Sequence, residues 1–223
     1  DYIVGKLRAG LDKHGFANNT LVIFSSDNGP EVPTVLSMRQ DYKHDGARPW
    51  RGVKRDNWEG GHRVPFIARW PGKIKPGTRS SQTLSLTDLM ATFAAITNVK
   101  LPKGAGEDSV NMLPAFIGSD EGKSIRKYTL HQTISLALAI RRGPWKYLDH
   151  RGSGGNNYDR AGRWGMKKYI VPEKEPNAPG QLYNLDTDPG ETNNLYFKRS
   201  EIVKELKNKL EEFKRSGRSA PFS

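Results

Sequence analysis

Apolar positions fall into three textures along the chain. Near the start, Ile3, Val4, Leu7 and Leu11 recur at helical spacing, and Gly15 supplies a stop. A continuous apolar run, Leu21-Val22-Ile23-Phe24, then predicts a strand over 20–25, and Val64-Pro65-Phe66-Ile67-Ala68-Arg69-Trp70 predicts a second. Residues 29–63 between them are rich in glycine, proline and charge and read as a long loop. Ser85 with Asp88 three positions on is a helix-capping pattern, followed by an apolar stripe of Leu86, Leu89, Met90, Phe93, Ala94 and Ile96. Helix and buried strand in alternation give an α/β pattern with a mostly parallel sheet.

After Gly118 the spacing shortens. Residues 128–134, 137–141 and 145–148 predict short strands, with Arg142-Gly143-Pro144 as a turn between two of them. The Gly-, Asn- and Pro-rich stretch 151–180 predicts an exposed, mobile loop. Gln181 to Leu185 predicts one more strand, closed by Asp188-Pro189-Gly190. Ser200 is placed to cap a last helix in which Ile202, Val203, Leu206, Leu210 and Phe213 share a face and Gly217 ends it. A small antiparallel sheet packed with a C-terminal helix is expected here, with a domain boundary near residue 124, so that 1–124 and 125–223 form separate domains.

Composition narrows the function classes. The chain has 223 residues, a net charge of +12 and no cysteine, which excludes disulfides and thiolate metal sites. No stretch approaches the ~20 apolar residues of a membrane helix. No basic-then-apolar leader precedes the first helix, whose pattern is already under way at Asp1, and a processed chain or a fragment of a longer one is expected. The positive charge invites an anionic partner or serves as a solvated surface that keeps the protein soluble. Aromatic residues are not interleaved with the basic ones and no nucleic-acid-binding motif spacing occurs, so nucleic acid is not the expected partner.

Candidate chemistry gathers where the first strand ends. Asp27 and Asn28 offer two hard oxygen donors of the kind Ca²⁺ or Mg²⁺ prefers, at the strand end where ligands of α/β sheets collect. Asp-Asn-Gly is equally a common turn tripeptide. Lys54 follows in a glycine-rich setting, and a lysine beside a divalent cation is a suitable clamp for a tetrahedral oxyanion. Glu59 before Gly60-Gly61 is expected as a backbone staple or an acceptor for Lys54. His62 and Arg63 could reach substrate or serve structure. Of the isolated histidines His44, His131 and His150, His131 is the candidate to overhang a cleft and bind substrate. Neither a nucleophile with a base beside it nor a P-loop is present.

The segments Asn19 to Gly29, Gly52-Val53-Lys54, Trp58 to Pro65, Trp70-Pro71-Gly72 and Ser85 to Leu89 resemble the formylglycine-dependent sulfatases, nearest the arylsulfatase A-like branch. Ala139 to Lys146 and Leu182 to Leu195 continue the resemblance, which covers nearly the whole chain. It implies an alkaline-phosphatase/sulfatase-like fold, with 1–124 the C-terminal portion of the catalytic α/β domain and 125–223 a small α+β subdomain. It also implies Ca²⁺ held by Asp27 and Asn28, sulfate bound by Lys54, and hydrolysis of a sulfated glycan, small molecule or aryl sulfate. The family's formylglycine arises from a Cys/Ser-x-Pro-Ser/Ala-Arg motif that these residues do not contain; with the remaining ligands it is expected in a preceding N-terminal half. The chain alone is therefore expected to be inactive, and to associate with that half or with itself through the sheet edge. A phosphatase or phosphodiesterase of the same superfamily, and a non-catalytic polyanion-binding module, are the alternatives. By resemblance the compartment is periplasmic or secreted, with no membrane partner.

Overall fold

In the computed structural model, residues 1–162 and 165–221 are described. They divide into two compact units: 1–26 with 65–126, and 27–64 with 127 onward.

In the first unit, α1 (Tyr2–Lys13) is followed by β1 (Val22–Ser25), β2 (Phe66–Arg69), α4 (Leu89–Ile96) and α5 (Leu113–Ile117), with α2 (Val32–Asp41) and α3 (Glu59–His62) lying in the other unit. The two strands stand where the apolar runs place them but pair antiparallel with each other, Phe24 opposite Ile67. An antiparallel pair is compatible with an otherwise parallel sheet, which commonly carries one. Phe24 and Ile67 are exposed, at 48% and 62%, so this ribbon shows an apolar face. Before α4, Ser85 and Asp88 form the expected capping box. Asp88 does more than cap: its buried carboxylate accepts from the Val110 N–H at 2.9 Å and pairs with buried Arg126.

The second unit contains α2 (Val32–Asp41), the single turn α3 (Glu59–His62), a four-stranded sheet and α6 (Ser200–Ser216). Strands β3 (Thr129–Gln132), β4 (Leu138–Arg142), β5 (Trp145–Leu148) and β6 (Gln181–Asn184) pair antiparallel in sequence order. Alternation along each strand splits the sheet into two faces. Ile140, Tyr147 and Leu182 form one cross-strand row, onto which α6 lays Val203, Leu206 and Leu210. On the opposite face Ala139, Leu148 and Tyr183 pack against Trp58. Lys146 shares that second face.

Four expectations change. The segment 27–64 groups with the C-terminal sheet rather than with residues 1–26, because Trp58 and Glu59 are buried against the sheet. Ser200 is the first residue inside α6, and the capping position falls to Arg199 without a side-chain bond. Within the passage expected to be loop, α2 forms, with Glu31 accepting from the Val32 N–H and Pro33 in its first turn. The 151–180 stretch is anchored rather than loose: Ser153, Met166 and Ala178 are buried. Residues 163 and 164 of that stretch lie outside the described residues.

Candidate active site

The turn after β1 meshes with the Lys54 segment and with the Gly60-Gly61 turn through the backbone. The Gly29 N–H donates to the Gly61 carbonyl at 2.9 Å, and the Lys54 N–H donates to the Pro30 carbonyl at 3.0 Å. Gly60 in turn donates to the Arg51 carbonyl at 2.7 Å. The fit leaves no room for side chains. A Cβ on Gly29 would land on the Gly60 carbonyl oxygen, and one on Gly60 would land on that of Gly52. The glycines are needed here because two stretches of main chain touch.

Three of the four site residues read from sequence thus share one scaffold. Asp27 is exposed and Asn28 half-buried. The Asn28 amide nitrogen donates to the Gly29 carbonyl at 3.0 Å, so its oxygen is the end suited to a cation. Lys54 keeps 35% of its side chain exposed and lies 3.6 Å from Glu31, which is also gripped by Arg55. The Arg55 guanidinium, ahead of Lys54, holds the Glu31 carboxyl below its ordinary value. Beneath Lys54, buried Asp56 pins the turn: it accepts from the Val53 N–H at 3.0 Å, from the Tyr158 hydroxyl at 2.6 Å and from the Asn156 amide at 2.8 Å. The donor set Asp27–Asn28 suits a hard oxygen-seeking ion such as Ca²⁺.

His131 stands in a different cluster. It stacks on His62 with ring centroids 3.6 Å apart, beside Glu59. Glu59 is 1% exposed and is surrounded by cations: Lys146 at 3.0 Å, Arg63 at 3.2 Å and Arg141 at 3.3 Å. Burial alone would raise the Glu59 carboxyl, yet Lys146 ahead of its other neighbours holds it well below the usual carboxylate range. Burial, then His131 and Lys146, keep the His62 imidazole neutral. Glu59, His62 and His131 lie close enough to share a metal ion. However, the Lys146 ammonium already sits 3.0 Å from both Glu59 and His62. A dication there would meet three fixed cations, so this trio is a structural ion cluster.

Sequence reading missed the other end of that cluster. Fully buried Lys146 also faces Glu191 Oε1 at 3.1 Å, poorly aligned for a hydrogen bond, while Glu191 Oε2 accepts from the Glu59 N–H at 2.6 Å. One ammonium serves two carboxylates. Burial pushes Glu191 up to about 7 despite Lys146. Because the folded value exceeds the unfolded one, this group's contribution to stability is complete in acid and is lost as pH rises towards 7 and beyond. Replacing Glu191→Gln is therefore expected to flatten the fall in stability between pH 5 and 8, by up to roughly 3 kcal/mol, as read by urea titrations across that range. An unchanged slope would show that Glu191 is ionised throughout.

Comparison with known proteins decides the family. A model of the sulfatase family matches residues 1–99. Over 217 residues the chain is 34% identical to the N-acetylgalactosamine-6-O-sulfatase of Bacteroides thetaiotaomicron, covering 96% of this chain and 40% of that protein. This chain belongs to the sulfatase family. Arylsulfatase A of Bos taurus is 33% identical over 211 residues, covering 92% of this sulfatase chain and 39% of the relative. Among solved structures, one from work on glycosaminoglycan metabolism by Bacteroides thetaiotaomicron superposes with a TM-score of 0.77 at 31% identity, covering 96% of this chain and 42% of that one. A sulfatase from a Pseudoalteromonas species gives a TM-score of 0.69 at 26% identity, covering 99% and 42%. The sulfatase chain thus spans about 40% of the length of these two relatives.

Proposed function

We propose that this sulfatase chain supplies part of the active site of a sulfuric ester hydrolase acting on sulfated carbohydrate or aryl sulfate. Lys54 clamps the sulfate group, and Asp27 and Asn28 provide two oxygen ligands of a Ca²⁺ ion. The observation that carries this reading is the backbone mesh joining the Asp27–Pro30 turn, Lys54 and Gly60-Gly61, which holds both candidate ligands and the clamp on one rigid support. The first-named relative, an N-acetylgalactosamine-6-O-sulfatase, favours a sulfated sugar over an aryl sulfate. Bound there, Ca²⁺ would offset the negative charge of the sulfate. Lys54 would orient that group and share its charge.

These 223 residues do not contain the formylglycine motif, and the chain by itself is expected to hydrolyse no sulfate ester. Joined to a segment carrying that motif, it is expected to cleave 4-nitrophenyl sulfate or N-acetylgalactosamine 6-sulfate, with activity removed by EDTA and restored by Ca²⁺. Preference for 4-nitrophenyl phosphate, or activity indifferent to EDTA, would overturn the reading. With one carboxylate and one amide, the chain alone is expected to bind Ca²⁺ with a Kd of ~10⁻³ M or weaker, since affinity follows ligand charge count. Asp27→Ala should abolish the calorimetric signal; micromolar binding, or binding indifferent to Asp27, would place the ion elsewhere.

A further inference from the structure

A cavity of 430 Å³ opens in the second unit between Trp58 and the 151–180 stretch. Its walls include Tyr158, Asp159, Ile170, Glu173, Glu175 and Pro176. The character of the site follows from which polar groups are already spent. Both guanidinium groups in the lining are committed to protein oxygens. Arg51 lies over the Trp58 ring at 3.5 Å and donates to the carbonyls of Glu191 at 2.9 Å and Val171 at 3.2 Å. Arg151 donates to the carbonyls of Ala178 at 2.9 Å and Asn177 at 3.3 Å.

The carboxylates are far less engaged. Among the described residues Glu173 accepts only the Glu175 N–H, at 2.9 Å, and the side chains of Asp159 and Glu175 make no bond. So the guanidinium donors of this cavity are engaged while its three carboxylates, set against two arginines, offer acceptor oxygens, together with the apolar surfaces of Ile170, Pro176 and Tyr158. A second sulfate or a uronic acid would meet carboxylates there and find the guanidinium donors already engaged. A ring with hydroxyl donors on its edge and C–H groups on its face matches both parts of the lining, as ligand sites combine apolar walls with a few placed polar groups.

The cavity wall is tied to the Lys54 segment. The Asn156 amide donates to the Lys54 carbonyl at 2.8 Å and to Asp56 Oδ1 at 2.8 Å, and Tyr158 donates to Asp56. We propose that this cavity is a subsite for an uncharged pyranose residue, the neighbour in a glycan chain of the sulfated residue held at Lys54. The role as a neighbouring subsite rests on the sulfatase reading above; occupation by a neutral sugar does not.

The test is a titration of the chain with methyl galactoside, methyl N-acetylgalactosaminide and the disaccharide N-acetyllactosamine, read by amide chemical shifts. Shifts are expected at Asn157, Tyr158 and 173–178, unchanged in Lys54→Ala. They should weaken at least tenfold when Asp159→Asn and Glu173→Gln are combined. Because nothing is hydrolysed, failure of the sulfatase reading leaves this result standing, and the reverse holds too. Absence of shifts in these residues up to the sugars' solubility limit would overturn the proposal. So would tighter binding of N-acetylgalactosamine 6-sulfate in the cavity, or selective binding of glucosamine, which would mark a cation site instead.

Discussion

Replacing Lys146→Met is expected to destabilise the protein by about 3–5 kcal/mol, the cost of leaving buried charge without its partner. Lys146 is 0% exposed and stands between Glu59 and Glu191, both buried. Glu59 would retain Arg63 and Arg141, but among the described residues Glu191 would keep no cation, only the Glu59 N–H. The loss should be larger at pH 8 than at pH 5, because Glu191 can escape its desolvation by taking a proton in acid. Adding Glu191→Gln to Lys146→Met should recover part of it, since the amide carries no charge to strand. Chemical denaturation of the two single variants and the double variant measures this directly. Additive effects would show that the two residues act apart.

Lys54→Ala, in a polypeptide joining this chain to the formylglycine-bearing segment, is expected to slow sulfate ester hydrolysis by ~10²–10³-fold, typical of removing one charge-stabilising donor from an active site. Stability should change little, because the Lys54 side chain is partly exposed and its ion pair with Glu31 is 3.6 Å long. Surface pairs of that kind contribute ~0–1 kcal/mol. Lys54→Arg should recover only part of the rate, as a planar fork does not reproduce a compact ammonium. Wild-type rates in Lys54→Ala would remove the lysine from the sulfate site.

Much of the fold was legible in the sequence. The runs at 21–24 and 64–70 and the short strands after 128 became strands because apolar and alternating patterns dominate local choice. The face of Ile202, Val203, Leu206, Leu210 and Phe213 became the buried side of α6 for the same reason. Helix α2 escaped notice because only Val35 and Leu36 of its ten residues are buried, too few to set a period. Glu31 followed by Pro33 was the available signal. The Asp27, Asn28 and Lys54 grouping was readable through motif, whereas the place of His131 was not. Its neighbours His62 and Glu59 lie some seventy residues away along the chain. Lys146 was harder still: a lysine within Trp-Lys-Tyr-Leu gives no sign of pointing into the protein, and its two partners come from distant segments.

The contacts at Gly29, Gly60 and Gly61 carry a consequence for how the site can change over time. Each would place an added carbon on a main-chain oxygen, of Gly60, Gly52 and Asp56 respectively, and no rotamer can move a main-chain oxygen aside. Tolerance at these positions is therefore all-or-none: alanine, the mildest substitution, meets the same obstacle as tryptophan. Drift in substrate preference has to pass through the loops that surround this knot, while the knot itself is inherited whole.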